Sequence, residues 1–452
     1  MEGTLVWQAL LAMAATAFTR PAYRIFCQIA TGWVLCPVRR TITGMMPTAD
    51  PQRKRPHDAF HYFFRDAAWK SEHLWRSQTV PLVESLCPDQ HPVTLLVDDT
   101  LVHKTGRQVE GAGVFRDPIR STVRKIVYAF GLNAVLLCVC VRSPYTRQPL
   151  ALPVNFRLYT KGGPSHVALA ATMVRVLAQW LPNRHFKLIG DGAYASLSKE
   201  DLPRTHVISR LRRDAALFDL PSPRQPGQRG RPRKKGSRLP TPPQIAATAA
   251  SDQWRLASVT MRDRSVERLL LARVVLWYDV TAELPLLLVI VRDPKGHEHD
   301  DFFFATDIHA DPAAVASDYN NRWPIEVTFR DAKQVLTLQH PQSWRRRGPH
   351  SSVTVGFWLH SAVWLWFIRT CGDKPVWPDR PWYARKRSPS FADADSLTGC
   401  TLAQPPFGHH WPRPPKELPS LWEDAGSRKL AQTAGKPDRL LQGISCFPPA
   451  PA

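Results

Sequence analysis

The sequence is short of acidic residues, of paired cysteines and of long apolar runs. It has 38 Asp and Glu against 60 Lys and Arg, a formal charge of +22, which argues against an enzyme of small neutral metabolites and favours a polyanionic partner such as nucleic acid. None of the eight cysteines forms a Cys-x-x-Cys pair, which argues against a zinc module or disulfide framework and favours a reducing compartment. The apolar residues 4–18 could form a signal peptide or anchor, but the stretch is short for a membrane span and follows Glu2, which favours a buried helix. We therefore expect a cytoplasmic, nucleoid-associated protein without membrane contact.

Composition and periodicity divide the chain into five segments. Aromatic residues at helical spacing, as in 58–75, predict a helical N-terminal unit. Strands and helices then alternate, which predicts an α/β (α+β) fold with a mixed sheet, and one long helix is expected over 312–338. The expected segments are the helical unit 1–90, the first part of the core 91–212, a basic linker and β-rich insertion 213–305, the last part of the core with a packing helix 306–372, and a Pro-rich, poorly ordered tail 373–452.

Acidic residues follow two of the predicted strands. The apolar run over 91–100 ends in Asp98 and Asp99, and a second strand beginning near 185 ends at Asp191. A single strand-end Asp is often only a turn or cap residue. Adjacent strands can nevertheless bring such carboxylates together, and carboxylates with waters and phosphate oxygens are the ligands that Mg²⁺ prefers.

The stretch from Tyr319 to Lys333 carries the third acid. Tyr319, Arg322, Glu326 and Lys333 are spaced so that, on one continuous helix, they would share a face within an arc of about 60°. Pro324 should bend or start the helix near Glu326. The stripe could be an ordinary solvated helix face with charge pairs. A carboxylate among cations is also a suitable place to hold a phosphate chain near a metal.

A Pro, Gly and Arg-rich segment lies in the expected linker. Its centre, Arg-Gly-Arg-Pro over 229–232, is similar to the short motif that lays Arg side chains into a narrow minor groove. Generic contact with DNA phosphates is the alternative interpretation. The basic residues expected to contact DNA here are Arg229, Arg231, Arg233, Lys234 and Lys235.

The spacing Tyr319-(2)-Arg322-(3)-Glu326-(6)-Lys333 resembles the Y-(2)-R-(3)-E-(6)-K signature of bacterial insertion-sequence DDE transposases. The two Asp contexts and the β-rich stretch before the last helix occur in the order found in that family, and the resemblance covers roughly 58–370. It implies an RNase H-like mixed sheet flanked by helices. It also implies cleavage of transposon ends in double-stranded DNA, with two Mg²⁺ ions for which Mn²⁺ can substitute, followed by joining of the freed 3′-hydroxyls to a target. A homodimer on paired ends is the expected assembly.

The resemblance also implies residue roles. Asp191 and Glu326 would be the second and third catalytic metal ligands. The first would be Asp98, which the Asp-x-Thr pattern and the alternation of side chains along a strand favour, or Asp99 if the strand end is aligned differently. The helical unit 1–90 is expected to bind DNA. The further residues expected to contact DNA are Tyr319, Arg322, Trp323, Arg330 and Lys333.

Two other functions fit the same sequence. A catalytically decayed copy would bind its DNA ends without cutting them. A structure-specific, Mg²⁺-dependent nuclease would cut junctions without strand transfer.

Overall fold

The computed structural model describes residues 2–117, 119–122, 124–223, 231–262, 264–378 and 385–403. The helices are α1 (Glu2–Met13), α2 (Arg20–Leu35), α3 (Ile42–Ala49), α4 (His57–Arg65), α5 (Ser71–Leu86), α6 (His166–Trp180), α7 (Pro242–Thr248), α8 (Tyr278–Thr281), α9 (Pro312–Asn320), α10 (Pro324–Gln334), α11 (Gly348–Cys371) and α12 (Phe391–Ala403). The strands are β1 (Val93–His103), β2 (Gly113–Arg116), β3 (Tyr128–Val141), β4 (Leu150–Tyr159), β5 (Phe186–Gly190), β6 (Thr205–Arg210), β7 (Arg255–Met261), β8 (Arg264–Leu276), β9 (Pro285–Arg292) and β10 (Asp301–Ala305).

All ten strands belong to one mixed sheet. The order of these described strands is β2-β3-β1-β5-β6-β10-β9-β8-β7, and β4 pairs with residues 133–141 of β3, next to the stretch 128–131 that pairs with β2. The central pairs β1–β5 and β5–β6 are parallel, whereas the outer pairs are antiparallel. Parallel strands need helical crossovers, and α6 supplies the one between β4 and β5. The predicted α/β fold, with a mixed sheet flanked by helices as in RNase H-like proteins, is confirmed.

The β-rich stretch expected over 213–305 continues the central sheet instead of forming a separate body. Strand β10 pairs with β6 on one side and with β9 on the other. Along β9, Leu287, Val289 and Val291 face the main core, while Leu286, Leu288 and Ile290 face a smaller apolar cluster on the opposite side. Such alternation lets a strand bury both faces of a sheet.

The N-terminal helices and α11 share one apolar core with the sheet. The indole of Trp33 donates to the carbonyl of Leu336 at 2.8 Å, and Trp366 donates to the carbonyl of Gly3 at 2.7 Å. Most of residues 2–86 are helical, and these helices pack into the same core as the sheet. Among the described helices α11 alone has the length and composition of a membrane span, and 94% of its apolar window is buried inside the protein, as in a core helix.

The prediction of a poorly ordered tail over 373–452 is wrong for its first part. Residues 391–403 form α12, which packs against α11 and α2 and buries Phe391 and Leu402. A buried ion pair of 3.0 Å between Asp395 and Arg40 joins it to the N-terminal helices. The apolar positions of this short helix are few, so its sequence gave only weak periodicity. Residues 404–452 lie outside the described part of the chain.

Candidate active site

Asp98 and Asp191 lie side by side because their strands are parallel neighbours. Val97 of β1 pairs with Gly190 of β5, so the next residue on each strand is an Asp at the same level. Side chains at the same level of adjacent strands point to the same face of a sheet. Burial raises the pKa of Asp98 and the nearby charge of Asp191 adds to the effect, while Arg322 lowers it. Together these causes bring the pKa of Asp98 to about 7.

The helix predicted over 312–338 is broken in two. Helix α9 ends at Asn320 and α10 begins at Pro324, a first-turn position where the missing N–H of proline costs nothing. Tyr319 and Arg322 therefore do not stand on the same helix as Glu326 and Lys333, and the expected single stripe is wrong. The turn between the helices instead directs Arg322 toward Asp98 in the middle of β1.

Arg322 joins two of the three acids. Its Nη1 donates to Oδ2 of Asp98 at 2.6 Å, and its Nη2 donates to Oε1 of Glu326 at 2.7 Å. Only 15% of the Arg322 side chain is exposed. Despite this burial the pKa of Arg322 is raised, because Asp98, Tyr319, Glu326 and Asp191 all favour its charged form. The guanidinium thus supplies the positive charge that the three carboxylates require.

Two other signature residues border this bridge. The Tyr319 ring packs against Phe303 with centroids 4.4 Å apart, and burial raises the pKa of its phenol. Lys333 donates from Nζ to Oγ1 of Thr100 at 2.6 Å, and burial lowers its pKa to about 8. Thr100 is the Thr of the Asp-x-Thr pattern that begins at Asp98. Its hydroxyl is therefore the group that accepts the hydrogen bond from Lys333 of α10.

Trp323 and Arg330 lie apart from the acids. Trp323 is 48% exposed, and the Arg262 guanidinium lies 5.7 Å from its ring centroid. Arg330 is exposed and bonds to its neighbour Asp331 at 3.1 Å. In the described structure Arg330 thus pairs with Asp331, while Arg322 pairs with Asp98 and Glu326.

Asp99 belongs to a different network. The Tyr194 hydroxyl donates to its Oδ1 at 3.2 Å, the Asn133 amide donates to its Oδ2 at 3.3 Å, and Nε2 of His166 lies 3.9 Å from the same oxygen. Adjacent residues of β1 point to opposite faces, so the two acids meet different partners. Asn133 and His166 had no signal in the sequence, because their meeting with Asp99 depends on the pairing of β3 and the position of α6.

A cleft of about 630 Å³ beside Arg322 was also missed. Its basic lining comes from Arg262 in the β7–β8 turn, from Arg264 and Arg268 of β8, and from Arg322. The turn between two strands brings Arg262 and Arg264 together, so strand alternation in the sequence did not indicate them. Arg268 is paired with Asp293 and Glu298, so Arg262 and Arg264 supply the positive charge on this side of the candidate site.

The basic segment of the linker is only partly described. Arg229 lies outside the described residues, whereas Arg231 and Arg233 are exposed. Lys234 forms an ion pair with Glu283. Lys235 lies over the Phe218 ring at 4.0 Å and the Tyr278 ring at 4.8 Å. These contacts attach the end of the segment to the sheet domain.

The chemistry of the three carboxylates suits a hard divalent cation. Asp191 is close enough to raise the pKa of Asp98, and both are oxygen donors of the kind that Mg²⁺ prefers. As the side chains stand, however, the part of the chain that the structure describes holds no group of three His, Cys, Asp or Glu positioned to bind a metal. The Arg322 guanidinium bonds to Asp98 and Glu326, so these residues fit a metal only if Arg322 turns away.

Comparison with known proteins agrees with this geometry. A family model described as DDE superfamily endonuclease matches residues 15–268, more than half of the 452 residues. The matched part contains Asp98 and Asp191 and ends before Glu326. No match was found among curated proteins. The chain belongs to the DDE superfamily endonuclease family.

Proposed function

We propose that the protein is a DNA transposase that cleaves transposon ends and joins the resulting 3′-hydroxyl ends to target DNA. One observation carries the proposal: Arg322 bonds to Asp98 and to Glu326, 228 residues further along the chain, while Asp191 lies at the level of Asp98 on the next strand. A fold that gathers these acids under one guanidinium supports a phosphodiester-cleaving site.

Asp98, Asp191 and Glu326 would hold two Mg²⁺ ions, or Mn²⁺ in their place. When bound, such ions lower the pKa of water and stabilise the charge on the leaving oxygen. Arg322 would exchange its carboxylate partners for a DNA phosphate, which its planar guanidinium can bind with two hydrogen bonds. Tyr319 and Lys333 border the same place and would orient neighbouring phosphates.

The surplus of 22 positive charges fits double-stranded DNA as substrate. The exposed Trp323, Arg231 and Arg233 are available for contact with it. The insertion-sequence origin, a homodimer on paired ends and a cytoplasmic, nucleoid-associated location complete the proposal. They follow from the Tyr-Arg-Glu-Lys spacing and the composition.

The experiment uses purified full-length chain, Mg²⁺ or Mn²⁺, and a duplex carrying the inverted repeat that flanks the gene. We expect cleavage at the repeat and transfer of the 3′ end to a second duplex. Asp191→Asn and Glu326→Gln should each reduce both steps by about 100-fold or more, since the lost interactions are worth several kcal/mol in the transition state. Asp214→Asn, which removes an exposed acid paired with Arg212, is the matched control. Undiminished cleavage in the two site variants would refute the assignment.

A structure-specific nuclease is the second candidate, because the matching family is described as an endonuclease. Such an enzyme would cut branched duplexes regardless of terminal sequence and would join no ends. Strand transfer in the same assay distinguishes the two functions.

A further inference from the structure

A second basic cleft lies at the N-termini of α5 and α11, away from the three acids. This α5–α11 cleft has a volume of about 590 Å³ and is lined by the starts of both helices and by Arg157 of β4. We propose that the α5–α11 cleft binds a phosphate group of duplex DNA outside the candidate active site. The choice of DNA as the source of the phosphate rests on the proposed function, whereas the preference for an anion rests on the cleft itself.

Both helices begin without a side-chain cap. The N-cap residues are Lys70 for α5 and Arg347 for α11, and neither can accept a hydrogen bond from the first-turn N–H groups. At α11 the N–H of Gly348 already donates to the carbonyl of Arg345 and Pro349 has no N–H, so the helix dipole is the main feature that favours an anion there. Cationic residues at a helix start are unfavourable for the isolated protein, and a bound negative group would offset that cost.

The charges of the lining agree. Lys70, Arg157, Arg346 and Arg347 face one acid, Glu72, which gives a net charge of +3. Glu72 bonds to Arg157 at 2.6 Å, and Arg157, only 18% exposed, also bonds to Asn155 at 2.9 Å. Asp66 lies just outside the lining and pairs with Arg346, so four cations against Glu72 and Asp66 leave a net charge of +2.

The heads of the two arginines are already positioned. Arg346 bonds to Asp66 at 2.7 Å, and Arg347 donates to the carbonyl of Ala67, both just before the start of α5. Burial keeps the neighbouring His350 neutral near pH 7 by lowering its pKa to about 4, so the imidazole adds no charge at that pH. An incoming phosphate would meet two arginines whose heads are already held, although 72% of the Arg346 side chain is exposed.

The cleft is connected to the candidate active site by a short, anchored segment. Helix α10 carries Glu326, and the chain from its end to Arg347 leads to the cleft. Lys104, the residue after β1, donates to the carbonyl of Pro341 at 2.7 Å, and the amide of Glu110 donates to the carbonyl of Trp344 at 2.9 Å. DNA phosphates recur along a duplex at regular intervals. We therefore expect one duplex of sufficient length to contact both places.

The test measures binding without divalent ions, so that no cleavage occurs, on duplexes of increasing length. The double variant Arg346→Gln/Arg347→Gln should bind the longest duplex about 10-fold more weakly, and the slope of log K against log salt should fall by about one. On the shortest duplexes, which occupy only one of the two places, wild type and variant should bind equally. The control Arg175→Gln removes an arginine of α6 that is paired with Glu200. It should bind every duplex with the same affinity and the same salt slope as wild type.

A second variant protects the test against misfolding. Lys70→Gln changes an exposed side chain at the start of α5 and should show the same length-dependent loss, smaller in size. Equal binding of wild type and both variants to the longest duplex would overturn the proposal. The proposal would also be overturned if inorganic phosphate raised the melting temperature of wild type but not of the variants, while DNA binding was the same in all of them. That result would assign the cleft to free phosphate.

These outcomes are independent of catalysis. If wild type cuts no DNA, the proposed function fails, but the length-dependent difference in salt slope can still be measured. If cleavage depends on Asp191 while the slope is unchanged in the cleft variants, only the cleft assignment fails.

Discussion

Asp98 and Asp99 are adjacent residues of one strand in opposite surroundings. Asp98 faces a guanidinium, a second carboxylate on the next strand and a third on a helix. Asp99 faces a phenol, an amide and an imidazole. The difference shows that a carboxylate becomes a candidate ligand through what packs on its side of the sheet, since residue type and position in the chain are here almost identical.

The packing on the two faces explains the difference. Helix α10 lies on the Asp98 side of β1 and brings Glu326 and Lys333. Helix α6, which carries His166, and the 3₁₀ turn after Asp191, which carries Tyr194, provide the partners of Asp99. One side thus concentrates formal charge, and the other distributes neutral donors around a single acid.

The largest expected effect is on DNA cleavage. Asp98→Asn should reduce the cleavage rate by about 100-fold or more, because it removes a charge from the proposed metal site, while Asp99→Asn should retain a rate within about threefold of wild type. Both exchanges preserve side-chain shape and differ only in the face they alter. Rates on an end-containing duplex would measure the contrast, and the reverse pattern would make Asp99 the first acid.

The second effect is on stability against pH. In the folded protein the pKa of Asp98 is about 7, above its ordinary value of 3.8, so the folded state binds more protons between these values and stability falls as pH rises through this window. Asp98→Asn removes that loss. Relative to wild type, the variant should gain about 4 kcal/mol between pH 3.5 and pH 8, measured by urea unfolding in EDTA. A pH-independent difference would contradict the assigned cause.

The smallest effects compare one partner from each face. Arg322→Gln should cost about 2 kcal/mol in EDTA, less than for a fully buried pair because Glu326 is one-third exposed, and Mg²⁺ should restore more stability to this variant than to wild type. Tyr194→Phe, which removes a neutral donor to Asp99, should cost about 1 kcal/mol with no added response to Mg²⁺. An equal response to Mg²⁺ in both variants would remove the distinction between the faces.

Local pattern predicted one part of the site. The apolar run before Asp98 and the run before Asp191 correctly indicated two strands, and the parallel β1–β5 pairing places both acids at one level. The expectation that Asp98 and Asp99 end the first strand is wrong, because pairing with β3 continues β1 to His103. The alternation of side chains also favoured Asp98 over Asp99. The choice between Asp98 and Asp99 also depends on which face of β1 packs against α10. Tertiary packing determines that face, so the sequence left both acids possible.

Other features depended on long-range contacts that the sequence did not display. Phe303 of β10 pairs with Arg210 of β6, and this pairing places β10 in the central sheet. Strands β7, β8 and β9 lie between β6 and β10 in the chain. Helix α12 is held by Asp395 and Arg40, 355 residues apart. Pro324 correctly indicated a helix start near Glu326, but not that Arg322 would turn back to the acids.

The pairing of β10 with β6 has a consequence for how this protein can be divided. Trimming away 213–305 to obtain a minimal nuclease module would remove the strand that covers β6, leaving its backbone donors and acceptors ready to pair with another molecule. A shortened version should therefore keep 301–305 joined directly to the following helix. Related proteins with other sequences in place of β7 and β8 would face the same constraint. Their sequences could vary at β7 and β8, but a strand would still have to pair with β6 at the place of β10.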